Sequence, residues 1–357
     1  MLTDAILLAS FGGPESMKDV LPFLERVTAG RQIPKDRLIE VGSHYFTLGG
    51  ISPINAQNRA LLSAIREELK SRNLGIPIYW GNRHSYPFFS DALQEIASAG
   101  HHKILALTTS AYSSYSSCRQ YREDLARSLI STKLDAQLEI VKIRPYFDQL
   151  RFRSPMQDRL LQVLHELFTS GAESNQIHIL FTTHSIPEQM ATNSGPSHNE
   201  GFTYGTYVMQ HRYVAMKIMQ EVTSLSKVDF EWSLVYQSRS GAPSTPWLEP
   251  DINDAITALA SKGITSVIVV PIGFISDHVE VIWDLDTQAK ATAEKLGIKF
   301  YRIPTNGIQA AFINGLVDLI EEANKLKELD HGENWSQLCS QDCCLNPDKA
   351  NPVIKGI

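Results

Sequence analysis

The chain of 357 residues carries 33 Lys+Arg against 39 Asp+Glu, with 43% hydrophobic and 20% charged residues. This globular composition excludes a disordered, collagen-like or coiled-coil chain, and the net charge of -6 excludes the basic excess that non-specific nucleic-acid binding draws on. At roughly 100–200 residues per domain, the length implies two domains.

Along the chain, short apolar, β-branched runs alternate with longer amphipathic stretches, the pattern of βα units around parallel sheets. Predicted strands occupy residues 5–10, 77–80, 103–108 and 138–143 in the first half, and 176–182, 230–236, 266–270 and 299–302 in the second. Predicted helices occupy residues 55–71, 88–99, 117–131, 153–169, 207–222, 249–261, 279–296 and 308–327. Four strands per half at similar spacing point to two copies of one open α/β sheet. Pro145, Pro155 and the polar stretch 169–175 interrupt the pattern and place the change between halves there. Beyond about residue 328 the composition turns to Asp, Asn, Gly, Ser, Pro and Cys without periodicity, so that no independent fold is expected of this tail.

The longest strongly apolar run, 266–275, is broken by Pro271 and Gly273 and falls well short of the roughly 20 residues needed to span a bilayer. The N-terminus has Asp4 where a signal peptide would carry Lys or Arg, which predicts a cytoplasmic chain. Four cysteines, Cys118, Cys339, Cys343 and Cys344, argue against disulfides in that compartment and call for another reading.

In open α/β sheets ligands bind beyond the carboxyl ends of the strands, which gives weight to the residues just after each run. Three of these segments carry a histidine: His84, His184 and His278. No G-x-G-x-x-G or G-x-x-x-x-G-K-[ST] motif is present, so no nucleotide cofactor is expected. His184 closes a buried strand just before Pro187, either facing a cleft or satisfied in the core by neighbouring Ser and Thr hydroxyls. Glu280 and Asp284 are four residues apart and share a helical face, with Asp277 a turn earlier. Such a row of acids suits a divalent cation; equally, Asp277 suits a helix cap and the others a solvated face. His184 and Glu280 together would supply a base and an anionic partner for a cation or proton.

Five segments then carry a resemblance. Leu8-Ala-Ser-Phe-Gly-Gly-Pro14, Gly49-Gly-Ile-Ser-Pro-Ile-Asn55, Thr183-His-Ser-Ile-Pro187, Gln237-Ser-Arg-Ser-Gly241 with Pro246-Trp-Leu-Glu-Pro250, and Phe274-Ile-Ser-Asp-His-Val-Glu280 follow one another as in the ferrochelatases. The chain resembles that family, whose members insert Fe²⁺ into a porphyrin. The resemblance implies two Rossmann-like domains, each with a four-stranded parallel sheet flanked by helices, with a porphyrin cleft between them and no nucleotide. The domains expected are 1–157 and 158–307, followed by a C-terminal helix 308–330 and a Cys-containing tail 331–357.

By the same resemblance His184 matches the catalytic histidine and Glu280 the glutamate facing it, both contacting the substrate iron, with His278, Asp284 and Asp286 on a polar path toward the glutamate. Propionate contacts are implied for Arg31, Tyr45, Ser52 and Tyr121, with Arg83 a basic position on the cleft. Phe11 stands where some relatives carry an iron-binding tyrosine, and His44 where several carry an arginine. Cys118 with the tail trio Cys339, Cys343 and Cys344 matches the one-plus-three set that holds a [2Fe–2S] cluster in some ferrochelatases; a zinc site accepts the same thiolates. The implied activity is insertion of Fe²⁺ into coproporphyrin III in haem synthesis by a cytoplasmic monomer with no transmembrane segment, with transient handover to a coprohaem decarboxylase. The alternatives are a protoporphyrin IX ferrochelatase, a cobalt or nickel chelatase acting on a sirohydrochlorin-like ring, and a non-catalytic haem carrier.

Overall fold

A computed structural model describes residues 3–30, 35–195, 205–240, 244–325, 342–345 and 351–356. Nine strands lie among them: β1 Ala5–Ser10, β2 Ile78–Asn82, β3 Lys103–Thr108, β4 Glu139–Lys142, β5 Ile177–His184, β6 Glu231–Gln237, β7 Ser266–Val270, β8 Lys299–Arg302 and β9 Lys355–Gly356. They form two parallel sheets, ordered β2-β1-β3-β4-β9 and β6-β5-β7-β8. Parallel strands covered by helices on both faces read as continuous apolar runs. Every residue of β1 and of β7 is buried, as that rule requires.

The chain divides into two compact units. The first comprises Met1–Ser110, Tyr115–Pro145 and Ile313–Ile357, and the second Ala111–Ser114 and Tyr146–Phe312. In the first, Leu7 and Ala9 of β1 and Ala106 of β3 pack with Leu93 and Ile96 of the helix Phe89–Ser98 and Leu125 of the helix Gln120–Thr132. In the second, Leu180 of β5 and Val267 and Val269 of β7 pack with Ile252 and Ile256 of the helix Ile252–Ala260 and with Leu285.

Position 157, the expected domain boundary, falls inside the helix Leu150–Thr169, which also runs through Pro155. A proline inside a helix costs about 3 kcal/mol. Phe152, Met156, Leu160, Leu164 and Leu167, all buried on one face, offset that cost.

One further expectation is corrected. The first sheet has five strands rather than four, because β9 joins β4 in parallel with Val141 opposite Lys355 and Lys142 opposite Gly356. The tail therefore contributes to the fold. Ile354 is buried in the first core, and Arg122 donates from Nε to its carbonyl at 2.9 Å. Two residues of strand are too short to leave a periodic signal.

Candidate active site

His184 is the last residue of β5, held in the ladder opposite Gln237 of β6. Its Nδ1 meets the carbonyl oxygen of Ser185. A carbonyl only accepts, so the neutral imidazole carries its proton on Nδ1 and leaves Nε2 free to take one up. That Nε2 lies 3.6 Å from Glu280 Oε2, with the two side chains 33% and 48% exposed. A base and a carboxylate that both reach solvent can accept protons or contact a cation from outside.

The support beneath His184 is buried. Tyr207 donates its hydroxyl to the His184 carbonyl at 2.9 Å and lies 2.9 Å from Thr183 Oγ1. Thr183 Oγ1 is also 2.9 Å from His211 Nε2, and His211 Nδ1 is 2.8 Å from the Tyr207 carbonyl. Burial pushes the His211 imidazole down to about 3, so the ring is neutral. Its proton then sits on Nδ1, and Nε2 accepts from the Thr183 hydroxyl. The ring stacks on Tyr112 at 3.6 Å. Gly273 closes this corner. A Cβ there would meet Thr183 Oγ1 at 2.2 Å, so a larger residue would displace the threonine.

The acid row follows β7. A short helical turn, Val279–Val281, leads into a π-helix, Ile282–Ala289, and then the α-helix Lys290–Lys295. π-helical winding is rare and concentrates at functional sites. Asp284 lies in it. Gln237 Nε2 donates to Asp284 Oδ2 at 3.4 Å, and the Ser238 hydroxyl donates to the same oxygen. Ser238 sits at φ 62°, a left-handed conformation uncommon outside glycine and frequent where a side chain is aimed at a site. Burial pushes the Asp284 carboxyl up to about 6, aided by the Glu280 charge and opposed by the Ser238 and Gln237 hydrogen bonds and by His184. Half-buried His278 has its pKa lowered by burial, against the pull of Glu280 and Asp277, and its ring stands edge-on to Phe274 at 5.2 Å.

Asp286, also expected on the polar path, is engaged in an ion pair. Arg302 holds it through Nε to Oδ1 at 2.8 Å and Nη2 to Oδ2 at 2.7 Å, and reaches Asp277 Oδ1 through Nη1 at 2.8 Å. The second unit thus brings His184, His278, Glu280 and Asp284 together and engages Asp286 in an ion pair. Tyr207, His211 and Arg302 escape sequence reasoning, and Ser238 is singled out there without a role. Only Ser238 carried a signal, its place just after a strand.

The remaining candidates belong to the first unit. Phe11, just after β1, meets His84 edge-on at 4.6 Å and Phe23 at 6.1 Å, while Tyr45 packs on Phe23 at 5.9 Å. Ser52 is buried, its backbone N–H donating to the Pro14 carbonyl at 2.8 Å. Half-buried His44 lies in the helix Lys35–Thr47. The Arg83 side chain is 3% exposed, its Nε 2.6 Å from Asp124 Oδ2 and its guanidinium over the rings of Tyr121 and Phe11. This paired guanidinium joins the aromatic rings of Phe11 and Tyr121 in one wall. Buried Tyr121 has its phenol raised by desolvation, against the pull of Arg83 and a hydrogen bond with Thr109. Arg31 lies outside the described residues.

Cys118, Cys343 and Cys344 are buried in the first unit, and Cys339 lies outside the described residues. The Sγ atoms of Cys343 and Cys344 are 3.7 Å apart. Two thiolates on one tetrahedral metal with bonds of about 2.3 Å stand roughly 3.8 Å apart, so this pair fits such a centre. Among the described residues, no group of three or more His, Cys, Asp or Glu converges to hold a metal ion. Arg119 donates from Nη1 to the Cys343 carbonyl at 3.2 Å and from Nε to buried Glu123 at 2.8 Å, and Glu123 accepts from Asn351 Nδ2 at 2.8 Å.

No helix among the described residues is long and apolar enough to cross a membrane. The chain is 47% identical to the coproporphyrin III ferrochelatase of Leifsonia xyli subsp. xyli, over 99% of this chain and 94% of that one. It is 49% identical to the coproporphyrin III ferrochelatase of Streptomyces griseus subsp. griseus, over 89% of this chain and 85% of that one. Among solved structures, the sirohydrochlorin chelatase SirB from Bacillus subtilis subspecies spizizenii in complex with cobalt has a TM-score of 0.49 at 10% identity, over 90% of this chain and 95% of that one. The ferrochelatase family model matches residues 3–324, and the chain belongs to the ferrochelatase family, an enzyme of the metal-chelatase class.

Proposed function

We propose that this enzyme inserts ferrous iron into coproporphyrin III, with His184 and Glu280 at the reacting centre. The observation that carries the reading is the accessible pair of His184 Nε2 and Glu280 Oε2, 3.6 Å apart. Fe²⁺ replaces two pyrrole N–H protons, so two protons leave for each metal that enters and charge is conserved. Unprotonated Nε2 takes up a pyrrole proton, and the Glu280 carboxylate meets the incoming cation. A planar macrocycle points its N–H groups inward, so distortion must expose them to the base. His278 and Asp284 line the approach to Glu280, and Phe11, His44, Tyr45, Ser52, Tyr121 and Arg31 contribute to the porphyrin side. The choice of coproporphyrin is supported by the relatives at 47% and 49% identity that carry that name. The product is coprohaem, passed on in the cytoplasm by a monomer to the decarboxylase that consumes it.

Cys118, Cys339, Cys343 and Cys344 supply the four thiolates of a [2Fe–2S] cluster, supported by the thiol pair at 3.7 Å. When bound, the cluster adds a covalent tie between the tail and the segment around Cys118.

Anaerobic incubation with Fe²⁺ and either porphyrin, followed by absorbance, tests the activity. Coproporphyrin III is metallated and protoporphyrin IX little; metallation of neither sinks the reading. In the same assay His184→Ala abolishes turnover while porphyrin still binds, and loss of binding would make His184 structural. For the tail, the purified protein is reddish-brown with about two iron and two sulfide per chain; a colourless, zinc-containing protein refutes the cluster.

A further inference from the structure

We propose that Arg302 is a positioning residue for the segment that handles iron: from the end of β8 its guanidinium ties down Asp277 and Asp286, which bracket His278, Glu280 and Asp284. The inference rests on the reading of Glu280 and Asp284 given under Proposed function.

The foot of this clamp is rigid. Arg302 lies opposite Val269 in the β7–β8 ladder, and the next residue, Ile303, donates its N–H to the Val269 carbonyl at 2.9 Å. Its head makes a two-pronged contact with Asp286, at 2.8 and 2.7 Å, and a third with Asp277 at 2.8 Å. Such charge-assisted fork contacts fix direction as well as distance, which a lysine ammonium cannot do. Between the two anchored carboxylates the backbone passes through a turn and into the π-helix Ile282–Ala289. π-helical hydrogen bonding is not self-sustaining over long stretches, so its geometry needs outside support. Arg302 supplies that support at both ends of the segment carrying the reacting carboxylate. Asp286, committed to the fork, acts as an anchor rather than as a metal ligand.

A screening role for the same guanidinium predicts the opposite sign. Removing a positive charge near Glu280 and Asp284 would draw a cation in more tightly and lower KM for Fe²⁺. Removing a positioning residue lowers kcat, because displacements on the order of 1 Å cost about 10- to 100-fold.

The test measures kcat, KM for Fe²⁺ and thermal melting for Arg302→Gln, Arg302→Lys, Asp286→Asn and the double variant Arg302→Gln/Asp286→Asn, using coproporphyrin III. Arg302→Gln is expected to lose about 10- to 100-fold in kcat. Arg302→Lys, which keeps the charge and loses the fork, recovers only part of that loss. Asp286→Asn lowers kcat alone and adds little once Arg302 is gone, the non-additivity of one shared contact. The inference is overturned by a lowered KM with kcat intact, by additive losses in the double variant, or by a change in melting alone. If Arg302→Gln does not fold, Arg302→Lys and Asp286→Asn carry the test, and unchanged kcat in both overturns it. Glu280→Gln serves as the control. Full activity there sinks the reading of the site, whereas an inactive Glu280→Gln beside an unaffected Arg302→Gln sinks only the positioning role.

Discussion

At the scale of the residue, Asp284 combines opposed demands. Burial and the neighbouring Glu280 charge favour its neutral form, while donors from Ser238 and Gln237 favour the anion, and the balance stands at about 6 against 3.8 for a free side chain. The folded protein therefore binds a proton between pH 6 and 3.8 that the unfolded chain does not. The stability contribution of this group is lowest above pH 6 and rises as pH falls toward 3.8. Asp284→Asn is expected to stabilise the protein at pH 7.5 by up to about 3 kcal/mol, with the difference vanishing near pH 4, while slowing iron insertion. Urea midpoints at the two pH values check this; no gain at pH 7.5 would mean that the Ser238 and Gln237 donors fully offset the cost of the anion. Spacing alone exposed Glu280 and Asp284, because four residues apart is legible in any helix. Their partners were not legible. Ser238 reaches Asp284 from another strand through a left-handed backbone, and a single arginine ending β8 carries no pattern.

At the scale of the element, β1, β3, β7 and β8 begin and end where the apolar runs do. β5 and β6 run on through Thr183-His184 and Gln237, because polar residues continue the ladder where the strands open onto the site. The apolar signal stops where function begins, so hydrophobic patterning underestimates these ends. β9 is the opposite case, a strand made by pairing alone. Truncation after Leu345 removes it, together with the Asn351 donor to Glu123 and the Ile354 acceptor of Arg122. Each lost hydrogen bond to a buried charged group costs about 1.5–3 kcal/mol, so a lower melting temperature is expected. The bared β4 edge also favours association, which light scattering during heating would report. An unchanged melting temperature would show that the tail strand adds nothing to the first sheet.

At the scale of the whole molecule, two α/β units were legible because eight apolar runs recur at similar spacing. Their borders were not. Ala111–Ser114 belongs to the second unit although Ser110 and Tyr115 on either side belong to the first, and Ile313–Ile357 returns to the first. A linear reading assigns contiguous stretches, whereas packing does not. Composition marked the tail as distinct and hid its anchorage, which depends on Arg119, Glu123 and Arg122 far upstream. The fifth strand also orders events during synthesis. Lys355 of β9 and its ion-pair partner Glu139 of β4 are 216 residues apart. At ribosomal rates of about 5–20 residues per second, roughly 10–40 s pass between their emergence. Over that interval the nascent sheet has β4 as an open edge, and the unit that is started first is the last to be finished.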